Sequence, residues 1–306
     1  MTPIIDAHHH LWEPGDGRYP WMQAAAPKFM GDTRPVCRPY RIEDLCAEAE
    51  RGTGLRLAGS VHLQCGRNPA RPAEETAWVQ AQADRRGLPV AIVGHANLAD
   101  PALDALLDAH AASAGFRGVR QMLNWHDSDE RLRLCDRGDY LRDAQWQAGF
   151  ARLGARGLSF DLQVNPWQLP AAYAVASAHP DTVVVINHAG LPFADEAARR
   201  AWRTGMAALG GLPQVHVKFS GLGMVDPGWT AASVQPLFDT LLECFGPHRM
   251  MFGSNFPIDR LYRRYAEVYA HYAALCAHLD AHARNALFHA NARRVYRIDT
   301  PSSTAA

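Results

Sequence analysis

Lysine is nearly missing from this chain. Lys28 and Lys218 are the only two among 306 residues, and arginine carries almost all of the positive charge. Net charge is missing too, with 31 basic against 31 acidic residues and no basic stretch. Such a surface has no electrostatic grip on a phosphate backbone or an anionic bilayer, so the expected partners include no nucleic acid and no membrane. The six cysteines (Cys37, Cys46, Cys65, Cys135, Cys244, Cys276) form no C-x-x-C pair. That pattern argues for free thiols in a reducing compartment and against a structural zinc finger. No run of about 18 apolar residues offers a membrane span, and no charged-then-apolar leader precedes Ile4. The expected location is the cytoplasm. No G-x-G-x-x-G follows the first strand candidate, which counts against a dinucleotide-binding fold.

What is present is ample core material, 48% hydrophobic, in a regular alternation. Strand candidates fall at Ile4–His10, Leu57–Gln64, Val90–Ala96, Phe116–Met122, Leu158–Val164, Thr182–Asn187, Val215–Phe219 and Met250–Phe252. Helical patterns lie between them, among them Ala73–Arg86, Tyr140–Ala155, Leu169–His179 and Thr230–Phe245. Eight βα units without a linker predict one α/β domain, a single (β/α)8 barrel over residues 1–299, followed by a disordered tail at 300–306. Residues 12–41, rich in Pro, Gly and aromatics, form a loop long enough to expect a lid or another functional element.

Catalysis in such a barrel sits at the C-terminal strand ends, and polar residues collect there. The first strand ends in His8, His9 and His10. Side chains alternate along a strand, so Asp6, His8 and His10 are expected on one face, with Asp6 hydrogen bonded to the pair from below. Neutral imidazoles are common metal ligands, which makes His8 and His10 candidates. His62 ends the second strand, Arg120 the fourth, Gln163 the fifth, His188 the sixth and Lys218 the seventh, while Asn255 follows the eighth. Arg120 and Lys218 would make the mouth cationic, as an anionic substrate or a developing oxyanion requires. Their structural alternative is an internal salt bridge to Asp161 or Asp259. Trp12, Trp21, Trp125 and Trp167 are expected pocket walls, and His126 joins the substrate-binding set.

Seven segments carry a resemblance. They are DAHHHLWEP at 6–14, GFRGVRQML at 115–123, FDLQVNPWQL at 160–169, VVINHAGLP at 184–192, VKFSGLGM at 217–224, RMMFGSNFP at 249–257 and NARRVYRI at 291–298. In this order they resemble the amidohydrolase superfamily (amidohydrolase-2 type), within its lactonase-like branch of sugar lactonases and 2-pyrone-4,6-dicarboxylate lactonase. The resemblance implies a metal-dependent-hydrolase-like barrel with His8, His10, His188 and Asn255 as catalytic residues. It also implies at most one divalent ion, such as zinc, on His8, His10 and His188, and it equally admits a metal-independent site. Three departures bear on this. Asn255 stands where the family has an aspartate, and an amide is no base near neutral pH. Arg120 and Gln121 stand where binuclear relatives have a carboxylated lysine, and DLQVNP replaces the fifth-strand histidine.

The expected activity is hydrolysis of a lactone or similar cyclic ester of a small carboxylated or sugar-derived substrate. His188 or another nearby group would be the base, and Asp259, four residues after Asn255, is the first alternative base to test. The alternatives are a metal-assisted decarboxylase of a small aromatic or unsaturated acid and a non-catalytic barrel that binds a small acid. Restoring the family's carboxylate by Asn255→Asp is expected to raise lactonase activity or metal affinity. Neither the substrate nor the oligomeric state is legible at this level.

Overall fold

Short Val/Ile-rich runs bounded by Gly and Pro form strands buried on both faces, and each is followed by a helix that covers the outside. A computed structural model describes residues 2–15, 18–23, 29–51 and 54–298, so the expected tail lies outside the described residues. The strands are β1 (Thr2–His9), β2 (Leu55–Leu63), β3 (Ala91–His95), β4 (Phe116–Met122), β5 (Ser159–Gln163), β6 (Val184–Ile186), β7 (Val215–Phe219) and β8 (Met250–Phe252). They pair in parallel in sequence order. The ring is joined from β8 to β1 by a parallel bridge between His9 and Phe256 and by the His10 N–H donating to the Phe256 carbonyl at 2.7 Å. This is the expected (β/α)8 barrel.

The helices are α1 (Pro20–Gln23), α2 (Ile42–Glu50), α3 (Ala73–Arg86), α4 (Leu103–Ala111), α5 (Ala144–Ala155), α6 (Leu169–Ala178), α7 (Glu196–Gly210), α8 (Ala231–Phe245), α9 (Tyr265–Leu275), α10 (Ala281–Asn285) and α11 (Asn291–Val295). Their starts follow local chemistry. The Asp143 carboxylate accepts the Gln145 and Trp146 N–H groups at the head of α5, and Asp195 accepts that of Ala198 at the head of α7. Outward strand residues such as Val119, Phe160, Val184 and Val217 pack under the helices in the main core. Each such burial of a Val, Leu or Phe contributes about 1.5–3 kcal/mol.

Inside the barrel, Ile5, Ala7, Val61, Leu63, Val93, Val185 and Met251 pack against Ala292, Val295, Tyr296 and Ile298. Residues 292–298 therefore plug the barrel from one side and leave the other, where the strand-end polar residues lie, for chemistry. The segment after β1 is folded back rather than free. Trp12 bridges Tyr40, the Phe29 N–H donates to the Arg131 carbonyl at 3.3 Å, and the Tyr262 hydroxyl donates to the Met30 carbonyl at 2.5 Å. It thus reaches the loops after β4 and β8 across the barrel end.

Candidate active site

The histidines of the first strand reach the site through an irregularity. Asp6 is registered with Ser60 and His9 with His62, so β1 holds one residue more than β2 between those pairs. An extra residue in one strand reverses the alternation beyond it. Ile5 and Ala7 point inward before the bulge, and His8 and His10 do so after it. This corrects the single face expected for Asp6, His8 and His10. Asp6 instead accepts the Ser254 N–H at 2.8 Å, the Ser254 hydroxyl at 2.6 Å and the Tyr265 hydroxyl at 3.2 Å. It ties β8 to β1 and leaves the imidazoles alone.

His8, His10 and His188 come together. The His8 ring lies 5.1 Å from that of His10 and 4.4 Å from that of His188. His10 Nδ1 is 2.7 Å from the Leu63 carbonyl, which can only accept, so the proton sits on Nδ1 and Nε2 presents a lone pair. His188 Nδ1 is 3.2 Å from the Ser220 hydroxyl. Both nitrogens of His8 are buried without any partner. Burial, helped by neighbouring histidines, Arg120 and Lys218, holds all three well below the ordinary histidine value, so they are neutral near pH 7.

The backbone is bent to seat these rings. His188, Ala189 and Leu191 all take φ of 52° and Asn255 takes 57°, a left-handed conformation that costs of the order of 1 kcal/mol for a non-glycine residue and concentrates at functional sites. Two glycines are obligatory. A Cβ on Gly221 would stand 2.4 Å from His188 Nδ1, and one on Gly253 would stand 2.6 Å from His8 Cβ.

Arg120 faces this cluster, since its charge acts on both His10 and His188. Nη1 donates to Gln163 Oε1 at 3.1 Å and Nη2 to the Gln64 carbonyl, while Nε is buried without a partner. Among the described residues it has no carboxylate in an ion pair. Burial pulls its pKa down to about 10, so it stays charged.

Lys218 behaves differently. It is fully buried 2.5 Å from Asp161 Oδ1, to which the Tyr296 hydroxyl also donates at 3.0 Å. The cation expected to bind substrate is therefore already paired inside the barrel, as the structural alternative foresaw. His62 is also displaced from its expected place. Val61 and Leu63 face the barrel interior, so His62 points outward, with Nε2 3.1 Å from Glu75 of α3 and Nδ1 accepting the Leu11 N–H at 3.2 Å. Among the described residues, His62, Cys65 and Glu75 form the group whose ligand atoms lie within 4.8 Å of one another. Hydrogen bonds already account for it, because Glu75 Oε1 takes the Cys65 N–H at 2.7 Å as well as the His62 proton.

Trp12 is not an open wall. It is completely buried, its Nε1 donating to the Arg38 carbonyl at 2.8 Å and its ring stacked 6.2 Å from His10. The rim instead carries Trp167, which is 36% exposed and stacked 6.3 Å from Phe193. His126 meets Trp167 edge-on at 4.9 Å, with its Nδ1 accepting the Asp129 N–H at 3.0 Å.

Asn255 donates from its backbone to the His8 carbonyl at 2.7 Å and from Nδ2 to Asp259 Oδ1 at 2.8 Å. Asp259, the first alternative base that the sequence offers four residues on, is thus brought against the Asn255 side chain. Asn255→Asp would set two carboxyl groups against each other, and one would stay protonated. The expected result is a fall of roughly ten- to hundredfold in kcat/KM, the equivalent of about 1.5–3 kcal/mol for one charge-assisted hydrogen bond, in place of the gain expected from the sequence. The double variant Asn255→Asp/Asp259→Asn should recover much of it, and steady-state kinetics on both proteins would reveal a single variant as active as the wild type.

Comparison with known proteins agrees with this architecture. The amidohydrolase family model matches residues 5–298. The chain is 37% identical over 296 residues to the uncharacterized protein y4mH of Sinorhizobium fredii, covering 96% of this chain and 98% of that one. It is 30% identical over 316 residues to an L-fucono-1,5-lactonase of Burkholderia ambifaria, covering 99% and 98%. A solved amidohydrolase of Burkholderia multivorans with bound zinc superposes with a TM-score of 0.80 at 27% identity, covering 97% and 100%. From the barrel, the strand-end histidines and this match along nearly its whole length, the chain belongs to the amidohydrolase family.

Proposed function

We propose that this protein hydrolyses a small lactone or similar cyclic ester, derived from a sugar or carrying a carboxylate, by attack of water at the barrel mouth. The observation that carries the reading is Arg120, a buried guanidinium without a carboxylate in an ion pair among the described residues, set against a cluster of neutral histidines. Burying such a charge is costly unless a ligand completes it. The lactonase relative supplies the substrate class.

Arg120 binds the carbonyl oxygen, where negative charge develops as water adds, and Asn255 orients the water. His188, held through Nδ1 by Ser220, takes the water proton on Nε2 as the new C–O bond forms. The ring C–O bond then breaks, and the same imidazole returns the proton to the leaving alkoxide. The product is an open-chain hydroxy acid.

The histidines also fit one divalent ion such as zinc. His8, with both nitrogens unsatisfied, and His10, whose Nδ1 is fixed by a backbone carbonyl, would hold it, with His188 adjacent. When bound, the ion would further polarise the carbonyl. The test is a pH-indicator assay on a panel of aldono-1,5-lactones, including L-fucono-1,5-lactone, run with metal analysis of the purified protein. Saturable acid release above the spontaneous rate is expected, lowered by chelator and restored by zinc. No acceleration with any lactone would sink the hydrolase reading, whereas indifference to chelator would remove only the ion.

A further inference from the structure

Asp259 lies in the turn after β8, fully buried, and the mechanism above does not use it. Its Oδ1 accepts from Asn255 Nδ2 at 2.8 Å, its backbone N–H donates to the Asn255 carbonyl at 3.1 Å, and its Oδ2 is buried without a well-formed hydrogen bond among the described residues. A carboxylate placed this way does little for stability, because the hydrogen bonds it receives do not replace its lost water. It does settle the direction of the Asn255 amide. An ionised carboxylate can only accept, so it selects the rotamer in which Nδ2 faces inward and Oδ1 faces the other way. A protonated carboxyl group can donate, and it would admit the opposite rotamer.

We propose that Asp259 is a positioning residue for the reaction: its carboxylate fixes the Asn255 amide with Oδ1 turned to the barrel mouth, where it accepts a hydrogen bond from the attacking water. The proposal rests on the hydrolytic reading of the site. It also explains how an asparagine can serve at a position where the family holds an aspartate. The amide keeps an acceptor for water, and the negative charge stands one residue shell behind it.

The pair carries its own pH signature. Burial raises Asp259 to about 7, against the lowering effect of its hydrogen bond from Asn255 and of the Gly223 N–H nearby. The titratable groups that feel its charge are Tyr262 in the following turn and Tyr272 on α9, both phenols raised above their ordinary value and neutral in this range. The ionised form that aligns Asn255 therefore accumulates as pH rises through about 7. A raised folded-state pKa also means that the stabilising proton is fully in place below the unfolded value of 3.8 and is lost as pH rises through about 7. Above that, an ionised Asp259 burdens the fold.

The experiment compares wild type, Asp259→Asn and Asp259→Ala by kinetics, by melting temperature across pH, and by the side-chain amide ¹H–¹⁵N resonances of Asn255, assigned by their loss in Asn255→Ala. In the wild type, the Asn255 resonances and kcat/KM should both titrate near pH 7. In Asp259→Asn, both titrations should vanish, kcat/KM at pH 8 should fall by roughly tenfold or more, and the melting temperature at pH 8 should rise. Asn255 resonances that titrate unchanged in Asp259→Asn would overturn the proposal, as would a variant with full activity and the same pH limb. The resonances need no substrate, so a failed lactone screen would sink the proposed function without deciding this inference.

Discussion

Arg120→Met is expected to lower kcat/KM for lactone opening by about 100-fold or more, the cost of losing one oxyanion donor in a water-poor site. The same variant should keep its melting temperature or gain a little. Among the described residues Arg120 has no ion-pair partner, and its Nε is unsatisfied. Burial depresses its pKa to about 10, which means that the folded state disfavours the charge it carries. Methionine fills most of the volume without that cost, although the Gln64 carbonyl loses a donor. Loss of activity with retained stability is the signature of a group kept for substrate. An unchanged kcat/KM would remove Arg120 from the site, and a large drop in melting temperature would make it structural.

Lys218→Met should do the reverse. Lys218 and Asp161 have fully buried side chains 2.5 Å apart, so deleting the ammonium strands a carboxylate inside the barrel. Breaking one partner of a buried pair costs about 3–5 kcal/mol. The remaining donors to Asp161, Asn187 Nδ2 at 3.0 Å and the Tyr296 hydroxyl, soften the loss without replacing the cation. The double variant Lys218→Met/Asp161→Leu should regain most of the stability, because two apolar side chains of similar volume need no partner. Denaturant unfolding of both variants measures this. If Lys218→Met were as stable as the wild type and raised KM for an anionic lactone, the lysine would belong to the substrate site after all.

These two cations show what the sequence could convey. Both sit on inward positions of their strands, and the period of two located them correctly. It could not tell which one would find a partner, since Asp161 meets Lys218 across the barrel interior, 57 residues away in the chain. The eight strands were legible for a stronger reason. Runs such as Phe116–Met122 and Val215–Phe219 are short, carry β-branched or aromatic residues and are bounded by turns, and they appear at those limits. His62 was misplaced because the apolar face of its strand, with Val61 and Leu63, lines the barrel interior, which leaves the polar face to meet the helices. The orientation is fixed by Glu75, which waits on α3. Asp6 failed for a subtler cause: the extra residue between Asp6 and His9 exists only relative to β2, so β1 alone gives no sign of it. Trp12 was taken for a wall because an aromatic near a site suggests one, whereas its indole N–H is used to hold the segment that folds back over the barrel end.

The bonds of Asp6 bear on how this protein comes to exist at all. Its carboxylate meets Ser254 and Tyr265, 248 and 259 residues later in the chain. Contacts of such separation form late, because the entropy of closing the loop precedes any return from the contact. A chain emerging at about 5–20 residues per second leaves this carboxylate unsatisfied until Ser254 and Tyr265 have been made. Ring closure and the seating of His8 against Gly253 both need β8, so neither can precede its synthesis. A chain that stops short of β8 holds no assembled site and leaves the edge of β1 unpaired, the kind of edge that favours aggregation.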